Sequence, residues 1–366
     1  MRRRGKLGMI DQAFWQSHRV FITGHTGFKG SWLCLWLNQM GATVKGYALE
    51  PPTMPSLFEE ARVGELIDSE IGDIRDLEQL QKSLNDFKPD VVIHMAAQPL
   101  VRYSYIAPLE TYAVNVLGTA NVLESALSCE TVRSVVSVTT DKCYENKEWP
   151  WAYREYEPMG GHDPYSSSKG CAELVTASYR QSFYSSKGKG LASARAGNVV
   201  GGGDWALDRL IPDILRAFEK NESVVIRSPN AVRPWQHVLE PLSGYLALAQ
   251  RLFENPDDFA EGWNFGPNEE DAKPVSWILD RMVDAWPESS WTLDQATNNP
   301  HEANYLKLDI SKAKSKLNWQ PTWDLKYTLE NIVQWHRAWL SGDNMQKFSK
   351  NEINEFMNSL ERSKNG

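Results

Sequence analysis

Between Arg19-Val-Phe-Ile-Thr23, a short β-rich run, and residues 27–40, the chain reads Gly24-His-Thr-Gly27-Phe-Lys-Gly30. Residues 27–40 carry apolar side chains at helical spacing, among them Leu33, Leu37 and Met40. Three glycines at a strand-to-helix junction allow a tight turn and a close backbone approach to a ligand. The helix that starts there presents free N–H groups and a positive dipole end, which suits a pyrophosphate. Gly24, Thr26, Gly27, Phe28, Lys29 and Gly30 are therefore candidate dinucleotide ligands. A strand that feeds a helix in this way needs further parallel strands beside it to bury both faces.

The following residues supply them. Thr43–Tyr47 reads as a strand, Leu77–Lys88 as an amphipathic helix, and Asp90–Met95 as a nearly continuous apolar strand. Helix 109–127, strand Val135–Thr139, helix 164–183 and strand Leu191–Arg195 continue the alternation. The expected fold class is α/β: a Rossmann-type doubly wound parallel sheet with right-handed crossovers and a smaller mixed α/β C-terminal substrate lobe. At 366 residues the chain exceeds what one core usually organises. Residues 1–18 read as an N-terminal extension, 19–196 and 238–265 as the dinucleotide lobe, and 197–237 and 266–345 as the substrate lobe. Residues 346–366 form a charged tail, weakly packed or helical.

Composition narrows the function. A net charge of -8 argues against a broad nucleic-acid surface. The basic cluster Arg2-Arg3-Arg4 is followed by no apolar run, so it is not a secretory signal, and Met9 offers an alternative start. No stretch approaches the ~20 apolar residues that span a bilayer. Cys34, Cys129, Cys143 and Cys171 form no CxxC pair and have no histidine at ligand spacing. No metal site is expected, and a reducing cytoplasm fits.

Two more segments carry chemistry. Tyr165-Ser-Ser-Ser-Lys169 sets a phenol and an amine four residues apart, on one helical face, with Asp163-Pro164 placed to cap and start that helix. An ammonium and a nicotinamide cation nearby would bring the phenol pKa toward neutrality. Upstream, Val135–Thr139 runs into Thr140-Asp141-Lys142. The bland reading of Asp141 and Lys142 is a surface turn. Asp73, in Gly72-Asp73-Ile74, is placed either to reach an adenine or to cap helix 77–88. Glu50 is the nearest carboxylate for a ribose hydroxyl, and Lys45 is the cation close by.

With these segments together the chain resembles the extended short-chain dehydrogenase/reductase family, from about Arg19 to Pro321. The matching residues are Gly24, Gly27 and Gly30, His94-Met-Ala-Ala-Gln98, Asn115, Thr140, Tyr165 and Lys169. Thr139–Tyr144, Ala97–Arg102, Gly197–Trp205 and Val232–Val238 point to its nucleotide-sugar 4,6-dehydratase branch. The resemblance implies tightly bound NAD, recycled within each turnover, with Ala96, Ala97 and Asn115 added to its ligands, and commonly a homodimer or tetramer. It implies that Tyr165 takes the proton from the sugar's 4-hydroxyl, Thr140 holds that oxygen, and Lys169 holds the cofactor ribose. Asp141 and Lys142 fill the acid and base positions of the elimination across carbons 5 and 6. The related dTDP-glucose branch has Asp-Glu there, so Lys142 is a departure. It is either a neutral base or an electrostatic stabiliser of the enolate.

The implied substrate is a nucleotide sugar. CDP-glucose, with cytosine resting on the resemblance alone, leads to a deoxysugar of surface polysaccharide such as O-antigen. Arg233 suits its diphosphate. Arg209 is a second basic candidate, and Arg102, Gln98 and Asn198 are candidate sugar or phosphate ligands. His301 and Tyr305, with Glu302, are placed to touch the nucleotide, although a surface role suits His301 equally. Trp235 either stacks on a ring or fills core. The rivals are a nucleotide-sugar 4-epimerase, which needs no acid–base pair after Thr140, and a non-catalytic dinucleotide sensor, which would have no use for Tyr165 and Lys169.

Overall fold

The structure, a computed structural model, describes residues 10–226, 228–293 and 306–363. Its strands are β1 (Arg19–Thr23), β2 (Thr43–Ala48), β3 (Asp68–Ile71), β4 (Val91–His94), β5 (Ser134–Val138), β6 (Gly190–Ala196), β7 (Asn198–Val200), β8 (Val224–Ile226), β9 (Val232–His237), β10 (Gly262–Phe265), β11 (Ala272–Pro274) and β12 (Trp291–Leu293). Seven of them form one parallel sheet in the order β10-β6-β5-β4-β1-β2-β3. The chain runs outward from β1 to β3, then returns to place β4 on the other side of β1. That reversal opens a crevice beyond the carboxyl ends of β1 and β4, where this class of sheet binds ligands.

Alternate strand residues enter opposite layers, as a pleated sheet requires. Val20, Ile22, Val91, Ile93 and Val136 pack into one core with the helices Phe28–Gln39 and Leu239–Glu254. Phe21, Val92 and Val135 pack into another with the helices Leu77–Phe87 and Thr119–Ser128. Both faces are thus covered, which is why these strands read as unbroken apolar runs.

A separate core gathers Ile211, Ile214 and Phe218 with Val224, Ile278, Leu279 and Ile332. Two small sheets frame it, β11-β9-β7 and β12-β8. The helix Leu325–Leu340 straddles two cores: Leu329 and Ile332 face this one, while Trp335 and Ala338 join the first.

The charged tail takes the helical alternative and is packed rather than loose. Met345–Ser363 is a 19-residue helix that buries Ile353 and Phe356 completely. Phe356 meets Trp36 edge-on at 5.6 Å, and Lys350 Nζ donates to Asn38 Oδ1 at 3.0 Å. Charged residues on its outer face mask a sound apolar stripe. At the other end, Trp15 is fully buried, so residues of the expected N-terminal extension also belong to the core.

Candidate active site

The glycine turn closes on itself. Gly24 has φ +82°, and a Cβ there would lie 2.7 Å from the amide nitrogen of Ala96. A Cβ on Gly30 would lie 2.1 Å from the carbonyl oxygen of Gly24. The helix Phe28–Gln39 starts at Gly27 with no side chain capping it. Its first N–H groups are left for an anion at the sheet's switch point. A dinucleotide pyrophosphate fits this cradle. Thr26 is engaged locally, donating its hydroxyl to the carbonyl of Leu49 at 2.8 Å.

The end of β4 is held just as firmly. Thr23 Oγ1 accepts from the amides of Met95 and Ala96 at 3.1 and 3.2 Å and lies 2.7 Å from His94 Nδ1. Thr119 donates to the carbonyl of Asn115 at 2.7 Å, and its oxygen lies 3.0 Å from His94 Nε2. His94 must therefore donate from Nε2 and accept at Nδ1, which is the neutral ring. Burial, reinforced by Lys169, pulls its pKa to about 3. Asn115 sits in a widened turn, Ala113–Gly118, of a kind common at functional sites. Its amide accepts from Gln98 N at 2.8 Å and donates to Gln98 O at 3.1 Å and to Ser168 Oγ at 2.9 Å. The loop bearing Ala96 and Ala97 is thereby tied to the catalytic helix.

Thr140 lies two residues past the end of β5 and caps one tight turn, Asp141–Cys143. Its hydroxyl donates to Asp141 Oδ1 at 2.9 Å and is near enough to Tyr165 to favour the ionised phenol. Tyr165 and Lys169 occupy the helix Pro164–Tyr179, whose N-cap is Asp163, accepting from Ser166 N at 2.9 Å. Lys142 Nζ lies 6.0 Å from the Tyr165 ring centre. Thr140, Asp141, Lys142, Tyr165 and Lys169 thus converge beyond the end of β5.

The electrostatics differ from expectation in one respect. Burial, with Asp141 adding repulsion, pushes the Tyr165 phenol up to about 12. The chain alone therefore leaves this phenol protonated at neutral pH. Burial also draws the Lys169 ammonium down to about 8. For Asp141, burial outweighs Lys142, Thr140 and Arg233 and raises its carboxyl above the usual range. An acid needs that direction. Lys29, half-buried in the glycine turn, is drawn to about 7 by burial and by Lys169 and Arg209.

Several expected ligands are occupied elsewhere. Asp73 accepts from the Arg75 guanidinium at 2.5–3.0 Å and from its backbone N–H at 2.9 Å, and does not cap helix 77–87; Asp76 does, accepting from Gln79 N at 3.0 Å. The neighbouring Ile74 packs under Gly118. Lys45 is bound by Asp68 and Glu70, and Glu50 is exposed. Gln98 spends its side chain on Thr111 and the amide of Leu100. Arg102 pairs with Asp208 at 2.7 Å, and Arg209 with Asp204 at 2.8 Å. Arg233, on β9, is near enough to Asp141 to act on its carboxyl, and Asn198 begins β7. Trp235 is buried in the second core. His301, Glu302 and Tyr305 lie outside the described residues. Among the described residues no cluster could hold a metal ion.

Sequence reading misses the layer behind this site. Glu173, on the helix Pro164–Tyr179 itself, forms a buried ion pair at 2.8 Å with Arg195 of β6. The spacing Tyr165, Lys169, Glu173 carries the signal for the first of them, a third group on the same helical stripe.

Comparison with known proteins agrees with this geometry. A CDP-glucose 4,6-dehydratase of Salmonella typhimurium is 60% identical over 360 residues, covering 97% of this chain and 100% of that protein. A UDP-glucose 4-epimerase of Rhizobium meliloti is 26% identical, covering 88% of this chain and 98% of its own. The fold superposes on the structure of a dTDP-glucose 4,6-dehydratase of Bacillus anthracis in complex with NAD, with a TM-score of 0.72 at 18% identity over 90% of this chain and 100% of that one. The family model described as GDP-mannose 4,6 dehydratase matches residues 21–332, and the chain belongs to that family, within the extended short-chain dehydrogenases/reductases.

Proposed function

We propose that the protein is a CDP-glucose 4,6-dehydratase, a hydro-lyase that converts CDP-D-glucose to CDP-4-keto-6-deoxy-D-glucose and water. The observation that carries this is the turn Thr140-Asp141-Lys142, which sets an acid and an amine beside the redox pair Tyr165 and Lys169. An epimerase has no use for the extra two groups.

Bound NAD supplies a hydride acceptor at carbon 4 that is regenerated at carbon 6 within the same turnover. Gly24, Gly27 and Gly30, with the first turn of the helix Phe28–Gln39, would hold its pyrophosphate, and Lys169 its ribose. Tyr165 takes the proton of the 4-hydroxyl, and Thr140, whose hydroxyl lies near the phenol, holds that oxygen in line. Because burial keeps the phenol near 12, positive charge in the filled site must supply the activation. Asp141, whose carboxyl burial shifts toward the protonated form, delivers its proton to the 6-hydroxyl as water leaves. Lys142 removes the carbon-5 proton, or stabilises the enolate that its loss creates. Arg233 binds the diphosphate, with Arg209, Arg102 and Asn198 at the rim of the same cleft.

The finer reading extends to assembly and place. Leu109 and Leu117, on one helical stretch, and Leu174 and Phe183, on the next, expose apolar surface that a second copy would cover, which supports a homodimer. All four cysteines are free thiols, which suits the reducing cytoplasm. Among the described residues no helix is long and apolar enough to cross a membrane. The product would feed deoxysugar units of a surface polysaccharide such as O-antigen.

A panel of CDP-, dTDP-, GDP- and UDP-glucose in deuterated water tests the reading. CDP-glucose should lose one water and gain one deuterium at carbon 5. A product of unchanged mass, inverted at carbon 4, would overturn it.

A further inference from the structure

The redox helix carries a third polar group in line with its tyrosine and lysine. Glu173 follows Lys169 by four residues, as Lys169 follows Tyr165, so all three share one face of Pro164–Tyr179. Glu173 is buried, and each of its oxygens is bonded. Oε1 accepts from the Thr139 hydroxyl, while Oε2 accepts from Ser193 Oγ at 2.6 Å and from Arg195 Nη2 at 2.8 Å. Arg195 reaches on to the Tyr144 hydroxyl at 2.6 Å and to the carbonyl of Glu155 at 2.8 Å. Tyr144 donates to Asn264 Oδ1 at 2.8 Å, and Asn264 Nδ2 donates to the carbonyls of Tyr153 at 2.9 Å and Asp309 at 3.1 Å.

A buried ion pair gains little over a well-packed apolar pair, because desolvation consumes most of the attraction. Stability alone is therefore a weak reason for Glu173 and Arg195, and their placement is informative. Thr139 immediately precedes Thr140, so fixing one hydroxyl fixes the strand end that carries the other. Glu173 is faced by Ser193 and Arg195 from β6, Thr139 from the end of β5, Cys143 and Tyr144 from the following turn, and Arg180 beyond its own helix. Lys169 is faced by Glu173, by Cys143, by Lys29 from the glycine turn and by His94 from β4. The carboxylate in that set is Glu173, and it leads the influences that oppose the burial of the ammonium.

We propose that Glu173 is a positioning residue of the redox site: it anchors the strand end bearing Thr140 through Thr139, and it keeps Lys169 in the ammonium form. This rests on the dehydratase reading for the role of Lys169, but not for the charge coupling itself. Removing the carboxylate removes support for the ammonium, so Lys169 should lose its proton at lower pH. The alkaline limb of turnover should then move toward neutrality.

The test uses the full chain with Glu173→Gln and, so that Arg195 is not left as an orphaned cation, the double variant Glu173→Gln/Arg195→Met. Two readouts are taken. The first is the pH dependence of Lys169 acetylation by acetic anhydride, which releases acetate, on nucleotide-stripped protein, read by peptide mass spectrometry. Its midpoint should fall by about one pH unit from the wild-type value near 8. The second is the pH profile of CDP-glucose turnover, which should lose about tenfold at pH 8.5 and far less at pH 6.5. Glu173→Asp should restore the alkaline limb. An unshifted acylation midpoint in the double variant, or a loss of turnover by the same factor at every pH, would overturn the proposal. Acylation is read without turnover. Wild-type protein that fails to dehydrate CDP-glucose would therefore count against the reaction and leave the role of Glu173 to the labelling result.

Discussion

Glu240 makes the stability of this protein depend on pH in a calculable way. It opens the helix Leu239–Glu254 and is fully buried. Its carboxyl accepts from Thr322 N at 3.0 and 3.1 Å and from Trp323 N at 2.6 Å, tying that helix to the segment leading into Leu325–Leu340. Those donors favour the carboxylate, yet burial is the larger influence, and the pKa rises from 4.5 to about 8. A folded pKa above the unfolded one means stabilisation that is full below pH 4.5 and lost as pH rises to about 8. At 1.36 kcal/mol per unit, the loss is about 1 kcal/mol at pH 5, about 3 at pH 7 and about 4 at pH 8. That is a large share of the 5–15 kcal/mol that typically holds a domain together. Glu240→Gln keeps the shape and an accepting oxygen but cannot ionise. Relative to wild type it should gain about 3 kcal/mol between pH 5 and pH 8. Urea unfolding, followed by tryptophan fluorescence across that range, measures the difference. A difference that stays flat with pH, or that moves the other way, would refute the reasoning, because the donors of Thr322 and Trp323 would then hold Glu240 ionised in the fold.

Three further outcomes are expected at the site. Lys142→Met should still oxidise carbon 4 slowly, seen as reduced nicotinamide, while dehydration falls by ~10²-fold or more; undiminished turnover would remove Lys142 from the chemistry. Gly30→Ala would drive a methyl to 2.1 Å from the carbonyl oxygen of Gly24, so the purified protein should release its NAD on gel filtration. Gly197→Ala places its methyl 3.3 Å from Asp141 Oδ2 and 3.1 Å from Pro234, and should slow elimination about tenfold while leaving carbon-4 oxidation in place.

What is legible in the sequence, and what is not, follows from the range of each interaction. β1, β4 and β5 are legible because a parallel strand buried on both faces reads as one apolar run. Tyr165 and Lys169 are legible because i,i+4 spacing is a property of the helix itself. Asp73 and Asp76 lie three residues apart, and which one caps the helix depends on where its first turn begins, a boundary the sequence leaves loose. Arg102 and Arg209 read as free cations in the sequence, which does not show that the loop after β7 brings Asp208 and Asp204 to them. Those partners are set by tertiary folding. The same holds for Arg195, whose contacts reach residues 22 to 51 positions away.

The docking of Met345–Ser363 has a consequence for how the molecule is made. Phe356 and Lys350 cover Trp36 and Asn38 on the helix that the glycine turn starts, so the earliest helix of the cofactor lobe waits for one of the latest. During synthesis the strands and glycine turn emerge early, but the Trp36 side of Phe28–Gln39 stays uncovered until some 300 further residues have left the ribosome. A nascent chain that stalls anywhere in that interval carries a nearly complete nucleotide cradle backed by an open apolar face. It is a substrate for chaperones or for aggregation, and bound NAD alone cannot close it. Emergence of Met345–Ser363, rather than arrival of the cofactor, is what closes that side of the lobe.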